Sequence, residues 1–199
     1  MKQLTEIKKF LKEKSNGKAK ESWRKFVPTS EKVYGVYLAE INKIISKYTS
    51  GGFKLVEELW KSDYLEEKIL AAKILGKICK KDPEKTLELI KKFVDDITDW
   101  PICDTLAIQG IRPIAKIKQK EIFELSRKLV KSENLWKRRF GIVLLINFKK
   151  EKLLRKEIKA IIKQVENDKE YYVKKAIDWM KRSLSSAASR LSAHFVRFG

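Results

Sequence analysis

Apolar residues recur at intervals of three and four along nearly the whole chain, and no segment shows the sustained alternation of a half-buried strand. Glycine, proline and polar breakers divide this pattern into about eleven predicted helices. Their predicted bounds are residues 4–14, 20–26, 30 to the break at 48–52, 53–61, 64–80, 82–95, 99 onward, 118–131, 134–149, 152–166 and 169–183. The pattern therefore predicts an all-α fold.

Three of the predicted helices begin at an aspartate that can cap them. Asp63, Asp82 and Asp99 each precede a helical run. Pro83 and Pro101 follow the last two within the first turn, where the missing N–H of proline is tolerated. The connections are about two to five residues long, so consecutive helices are expected to pack antiparallel.

Four segments share a register with a period of about 35 residues. They are SDYLEEKILAAKIL (62–75), ITDWPICDTLAIQG (97–110), SENLWKRRFGIVLL (132–145) and NDKEYYVKKAIDWMK (167–181). A helix pair that repeats at this period predicts an α-solenoid of HEAT-like antiparallel helix pairs. The alternative is a protein of helical hairpins whose repeat is only loose.

The register places three charged residues at equivalent positions. Arg139 lies 35 positions after Asp104, and Lys175 lies a further 36 positions on. Equivalent positions of a solenoid line up along one face, so these side chains are expected to project towards a common, basic, concave groove. Trp179 lies one helical turn beyond Lys175 on the same face.

The net charge of the chain indicates the class of partner. The chain has 46 Lys and Arg residues against 26 Asp and Glu residues, a formal net charge of +20. Such an excess makes a polyanion the first partner to consider, and nucleic acid is the polyanion that a long helical surface suits. At 199 residues the chain is long enough to bury a core without disulfides or metal.

The rarer residue types exclude several kinds of chemistry. His194 is the one histidine, which argues against histidine catalysis and histidine metal sites. Cys79 and Cys103 have no metal-ligand spacing and are expected to be reduced thiols in the core. Neither a signal peptide nor an apolar run of about 18 residues is visible. We therefore expect a cytoplasmic protein without a membrane partner.

Trp100 and Asp104 are spaced i, i+4, so they are neighbours on one helix surface. In the simplest interpretation, Trp100 packs between repeats and Asp104 is solvated or ion-paired. In the alternative, the indole lies against a nucleotide, as indoles stack on bases and favour cations. A carboxylate in a groove that binds phosphates repels them and weakens the binding of nucleic acid. It would be favourable if positive charge appears on the ligand.

Three stretches resemble the AlkD family of DNA alkylation repair glycosylases, which are built from HEAT-like repeats. They are DWPICDTLA (99–107), SENLWKRRFGIVLLINF (132–148) and VKKAIDWMKR (173–182). A weaker fourth, KVYGVYLAEINKII (32–45), resembles the family's early glycine-containing helix start. The W-x-x-x-D, N-x-W-x-x-R and K-A-I-x-W patterns occur in the family's order and spacing, and the resemblance covers about residues 20 to 182.

The resemblance implies a role for several residues. Asp104 matches the catalytic aspartate, and Trp100 and Trp179 match two tryptophans that lie against the sugar of the damaged nucleotide. Phe26 stands where the family has a tyrosine, so the ring is kept and the hydroxyl is lost. The residues expected to contact the DNA backbone are Arg139, Arg138 and Lys175. Asp99 replaces a family aromatic and is expected to serve as a helix cap.

The resemblance also implies the reaction. Alkylation at N3 or N7 makes a purine cationic, so it can leave without protonation by an acid. Asp104 would then stabilise the oxocarbenium-like sugar or orient water. The expected partner is double-stranded DNA that contains alkylated bases. The protein is expected to be a monomer that uses no metal or organic cofactor.

The end of the chain differs in composition from the rest. Residues 183–199 contain no lysine and no acidic residue, so we separate them from a DNA-binding glycosylase domain at residues 1–182. We expect these last residues to be weakly structured or to form a final capping helix. The family usually continues with at least one more helix pair, so the resemblance implies a shortened groove with Trp179 close to its end.

Two other functions stay open. The first is a non-catalytic HEAT-repeat protein that binds DNA shape, branched DNA or a protein partner. The missing hydroxyl at Phe26 and the shortened C-terminal part favour it. The residues that argue against it are Trp100, Asp104, Arg139 and Trp179. The second is a scaffold that binds only protein, and a strongly salt-dependent affinity for DNA would count against that hypothesis.

Overall fold

The computed structural model describes residues 2–27 and 31–195. Within these residues the regular structure is helical, apart from one isolated bridge between Lys32 and Tyr64. The α-helices of this described part are α1 (Lys2–Glu13), α2 (Gly17–Phe26), α3 (Leu38–Ile44), α4 (Gly52–Trp60), α5 (Leu65–Ile78), α6 (Pro83–Phe93), α7 (Trp100–Asp104), α8 (Gln119–Leu129), α9 (Leu135–Leu144), α10 (Arg155–Lys163) and α11 (Tyr171–Phe195). The predicted all-α fold is confirmed.

The chain divides into two units, Met1–Lys116 and Ile117–Gly199. We call them unit 1, which contains α1 to α7, and unit 2, which contains α8 to α11. The solenoid, its concave basic groove and a domain boundary at residue 182 stay predictions.

Helix α5 is the centre of unit 1. Every residue from Leu65 to Leu75 is buried, so this helix is enclosed on all sides and not only along one stripe. Four of the buried side chains are charged. They are Glu66, Glu67, Lys68 and Lys73. Because an unpaired charge in a protein interior costs several kcal/mol or more, the surrounding chain must supply partners for each of them.

Glu66 is fully buried, and its carboxylate binds a segment of backbone. It accepts hydrogen bonds from the N–H of Tyr34 at 3.1 Å, of Gly35 at 2.8 Å and of Val36 at 3.1 Å. Residues 33–37 are not helical, so these three N–H groups are not used by helix hydrogen bonds and can donate to the carboxylate. The segment between α2 and α3 is therefore held in an irregular conformation by one side chain of α5.

This segment corrects the predicted third helix. The sequence pattern starts that helix at Ser30, whereas α3 begins at Leu38; Ser30 itself lies outside the described residues. Gly35 has a φ of +85°, which favours glycine, and a Cβ there would lie 2.6 Å from the Cβ of Lys20. Periodicity alone could not reveal this, since Val33 and Val36 are buried although they are not helical.

The capping predictions are confirmed at two of three helices. Asp82 and Asp99 each accept a hydrogen bond from the third backbone N–H after them, at 2.9 and 3.0 Å. The prediction for Asp63 is wrong, since Tyr64 is the N-cap residue of α5 and makes no side-chain cap bond. The carbonyl of Asp63 accepts instead from the N–H of Lys32 at 2.7 Å, as part of the isolated bridge.

Glu67 holds the same segment through a side chain. Its carboxylate accepts a hydrogen bond from the hydroxyl of Tyr34 at 2.7 Å, and the ammonium of Lys8 lies 3.8 Å from its other oxygen. Burial, together with this bond, raises the pKa of the Tyr34 hydroxyl, so it remains a donor. The ring of Tyr34 stacks on Tyr64 with centroids 4.0 Å apart.

Helix α7 changes winding directly after Asp104. Residues Thr105–Gly110 form a π-helix, a rare geometry that is often found at functional sites. The π-helix packs on α5, where Gly76 faces the backbone of Gln109 so closely that a Cβ would overlap the Gln109 carbonyl. Lys73 adds a hydrogen bond from its ammonium to the Gln109 side chain at 2.8 Å.

Unit 2 is built around the contacts of α9 with α8 and α11. Gly141 lets α8 approach, since a Cβ there would lie 3.1 Å from both the Cβ of Leu129 and the carbonyl oxygen of Ser126. The Ser126 hydroxyl donates to the Gly141 carbonyl at 2.7 Å and is fully buried. Helix α11 extends through Phe195, beyond the predicted end at residue 183. Residues 196–199 lie outside the described residues.

We expect Glu66→Gln to lower the free energy of unfolding by about 2 kcal/mol, because a neutral amide oxygen replaces a carboxylate that accepts three buried hydrogen bonds. Urea denaturation followed by circular dichroism measures this. Glu124→Gln, at an exposed position of α8, serves as the control and should change stability little. Equal stability of the two variants would contradict the assigned role of Glu66.

We expect Gly76→Ala to lower the free energy of unfolding by about 2 kcal/mol or more, because the added methyl group overlaps the Gln109 backbone. Gly17→Ala is the matched control, since nothing lies within 4 Å of a Cβ at that position. It should leave the thermal midpoint unchanged or raise it. If both variants behave alike in thermal denaturation, the close approach of α5 to the π-helix is wrong.

Candidate nucleic-acid interface

Unit 1 brings together two of the aromatic residues that the sequence singled out. Phe26 ends α2 and Trp100 begins α7, and the indole N–H of Trp100 donates to the Phe26 carbonyl at 3.2 Å. The Phe26 side chain is 62% exposed, and Trp100 is partly exposed. Lys25 lies with its ammonium 5.3 Å from the Phe26 ring centroid. An exposed ring beside a cation suits both stacking and phosphate binding.

Helix α2 is fixed by the segment that Glu66 holds. The N–H of Asn16 donates to the Gly35 carbonyl at 2.8 Å, and the indole N–H of Trp23 donates to the Val36 carbonyl at 3.1 Å. The Asn16 side chain also caps α2. A continuous series of hydrogen bonds therefore runs from the interior of α5 to the helix that presents Phe26.

Asp104 lies one turn after Trp100 at the last residue of α7, and it is partly exposed. The start of α7 is fixed by Asp99, which is fully buried and caps the helix, and by Pro101. The π-helix follows at once on the other side. Asp104 is thus partly accessible to solvent while the backbone on both sides of it is packed.

The residues of unit 2 that are predicted to contact the DNA backbone differ sharply in their exposure to solvent. Lys175 is exposed on α11, with its ammonium 5.3 Å from the centroid of the Tyr171 ring. Trp179, one turn further along α11, is partly exposed. The pair of Lys175 and Tyr171 has the same chemistry as Lys25 and Phe26, a lysine ammonium beside an exposed aromatic ring. Both Lys175 and Trp179 can contact a ligand without rearrangement of unit 2.

Arg138 is engaged within the protein. Its Nε and Nη2 donate to the Asp168 carboxylate at 2.6 and 3.3 Å, and its Nη1 donates to the carbonyls of Ser132 and Glu133 at 2.9 and 2.7 Å. Most of its donors are therefore occupied. These bonds join the turn before α9 to the loop before α11, which is a structural role that spacing along the sequence could not reveal.

Arg139 is 5% exposed, and its Nη1 donates to the Tyr172 carbonyl at 2.6 Å. Its predicted contact with the DNA backbone stays a prediction. From the sequence alone we did not identify the two pairs of a lysine with an aromatic ring, Lys25 with Phe26 and Lys175 with Tyr171. The signals were present, since Lys25 adjoins Phe26 and Tyr171 precedes Lys175 by one helical turn.

Other features bear on the kind of site. Cys79 and Cys103 are buried thiols, as predicted, and burial raises the pKa of Cys79. In the described part of the chain, no three His, Cys, Asp or Glu side chains are grouped as metal ligands. None of the described helices combines the length and the apolar character that crossing a bilayer requires.

A net charge of +20 and exposed aromatic rings beside cations are typical of helical proteins that bind polyanions. A family model for DNA alkylation repair enzymes matches residues 7–197. The chain belongs to this family of DNA alkylation repair enzymes, and DNA is the partner that the family implies. A search among curated proteins gives no match.

We expect Arg138→Gln to destabilise the protein by about 3 kcal/mol, because the change leaves Asp168, which is 8% exposed, without its cation. Thermal and urea denaturation measure the loss. Lys128→Gln, at an exposed position of α8, removes the same charge and should change stability by less than about 0.5 kcal/mol. A variant of Arg138 that unfolds like the parent would contradict the structural assignment.

Proposed function

We propose that the protein is a DNA glycosylase that removes N3- and N7-alkylated purines from duplex DNA. The observation that carries this proposal is the position of Asp104. A solvent-accessible carboxylate lies one turn from Trp100, whose indole is bonded to the backbone at the exposed ring of Phe26. In a protein of charge +20, such a carboxylate opposes positive charge that the substrate develops.

The proposed reaction uses the charge of the lesion. As the N-glycosidic bond breaks, its electron pair moves to the purine nitrogen and neutralises the alkylated ring. Positive charge appears on the sugar, where the Asp104 carboxylate lowers its energy by electrostatic attraction. Water then adds to the sugar carbon and loses a proton, for which Asp104 is the proposed acceptor. The products are a free base and an abasic site.

The aromatic residues are proposed to hold the nucleotide. Trp100 and Phe26 in unit 1 present ring faces, which favour a cation and stack on sugars or bases. Phe26 has no hydroxyl to donate, so its contribution is limited to packing. Trp179 is proposed to contribute a similar surface in unit 2. Contacts to phosphates are proposed for Lys175 and, at its accessible edge, for Arg139.

We expect Asp104→Asn to reduce the release of 7-methylguanine from methylated duplex DNA by about a hundredfold or more, since the amide keeps the shape and loses the charge. Binding to the same duplex should be unchanged or tighter, because a charge that repels phosphate is gone. Single-turnover base release, read by chromatography, and fluorescence anisotropy measure the two effects separately.

The control for this experiment is Asp63→Asn, which removes an exposed carboxylate that pairs only weakly with Lys32 at 3.7 Å. It should retain the parent rate. An Asp104 variant as fast as the parent would exclude Asp104 as the electrostatic catalyst. A parent protein that releases no base above the spontaneous rate would overturn the glycosylase proposal.

A second candidate is a non-catalytic DNA-binding protein, and the phenylalanine at position 26 favours it, since the family has a tyrosine there. Both candidates require DNA contacts, so binding alone does not separate them. Binding of duplex DNA without release of any alkylated base would favour this second function.

We expect Lys175→Gln to lower the slope of log affinity against log salt by about 0.9, as for the loss of one phosphate contact. Arg138→Gln should leave that slope unchanged, because its donors are occupied within unit 2. Anisotropy titrations of a labelled duplex at several salt concentrations measure both. An unchanged slope in the Lys175 variant would remove Lys175 from the proposed interface.

A further inference from the structure

Unit 2 contains a cavity of about 460 Å³ between α10 and α11. None of the residues that line it is assigned above to DNA. Its floor is apolar and consists of Ile162, Met180 and Leu184, all buried. A volume of this size is within the range of ligand pockets, and it accommodates one large side chain together with a charged group.

The rim of the cavity is strongly cationic. Arg155, Lys159, Lys163 and Lys181 line it, whereas Glu166 is the carboxylate among the lining residues that the structure describes. The three lysines are exposed, so they are available to a ligand. The cavity therefore combines an apolar interior with an entrance that attracts anions.

Arg155 is the residue of the rim whose donors most need an anionic partner. Its Nε and Nη2 atoms are buried and have no hydrogen-bond partner among the residues that the structure describes. Buried donors without a partner are rare, and those of a guanidinium are costly because the group stays charged. Arg155 lines the cavity, so a bound anion that reaches its guanidinium would complete these hydrogen bonds. A carboxylate fits the planar fork of a guanidinium.

We propose that this cavity is a docking site for an acidic peptide segment of another protein that carries a large apolar side chain. The apolar side chain would fill the floor, and carboxylates would pair with Arg155 and the rim lysines. The site is independent of the proposed glycosylase activity. It would bring the protein to an acidic partner through unit 2, apart from the residues of unit 1 that are proposed to act on DNA.

Charge disfavours the other occupants. Residues 186–199 of this chain contain no acidic residue and include Arg190 and Arg197, so the end of the chain does not complement the rim. A second copy also carries a net charge of +20. A DNA duplex offers phosphates but keeps its apolar base faces stacked in its interior, so it leaves the cavity floor without a partner.

The test uses the full chain and a fluorescein-labelled peptide of three aspartates followed by leucine and phenylalanine. Fluorescence anisotropy should show saturable binding. Arg155→Gln should raise the Kd about tenfold or more, the effect of one lost charge-assisted contact. A peptide with alanines in place of leucine and phenylalanine should also bind about tenfold more weakly.

Arg182→Gln is the matched control, since Arg182 is an exposed residue of α11 outside the cavity. It should change the Kd of the peptide less than twofold. Arg155→Gln should also leave the thermal midpoint unchanged or raise it, because a purely structural arginine would lower it. Equal weakening by the two variants would show general attraction to a basic surface and overturn the proposal.

Two further outcomes would also overturn it. Absence of saturable peptide binding would leave the cavity without the proposed partner. In the second outcome, Arg155→Gln weakens binding to a DNA duplex of about 12 base pairs by roughly the effect of one phosphate contact, and binding to the peptide is unchanged. The cavity would then bind the nucleic-acid backbone instead of a peptide. The base-release assay is separate, so failure of one proposal does not affect the other.

Discussion

One buried carboxylate determines how the N-terminal part of unit 1 is arranged. Glu66 accepts hydrogen bonds from three consecutive backbone N–H groups of an irregular segment, in which the positive φ at position 35 favours glycine. The same segment binds Asn16 and Trp23 of the preceding region. The helix that presents Phe26 is therefore positioned from the interior of α5. A carboxylate suits this role because it is a stronger acceptor than any neutral group and can serve several donors at once.

Helix α5 positions the second part of the candidate site by a different physical means. Close packing at Gly76 fixes the π-helix that follows Asp104, and Lys73 adds a polar contact to Gln109. The two halves of the unit 1 site are thus supported by one enclosed helix, through hydrogen bonds on one side and through backbone proximity on the other. In the proposed reaction, rigid support of this kind would hold the Asp104 carboxylate where positive charge develops, as electrostatic catalysis requires.

The large positive charge of the chain does not make every cation a ligand contact. Arg138 binds Asp168 and two carbonyls, and Arg139 is almost wholly buried, whereas Lys175 is exposed. A guanidinium can satisfy several acceptors at once, so it serves well as an internal connector between loops. A lysine on an exposed helix face has a single ammonium that reaches solvent. Of these three cations, the exposed lysine is the one most available to an anionic partner.

The sequence by itself determined the helical fold, the caps at Asp82 and Asp99, the buried thiols and the family, because these depend on local spacing or on motifs that read directly along the chain. It also placed Trp100 and Asp104 one turn apart. The extended segment before α3, the π-helix after Asp104 and the internal role of Arg138 were decided only by the tertiary structure. Each of these features depends on a partner distant in the sequence, namely Glu66, Gly76 or Asp168. In the first two cases a buried hydrogen bond or a close backbone contact outweighs the small preference of the chain for regular helix. In the third, the position of Asp168 decides where the Arg138 side chain binds.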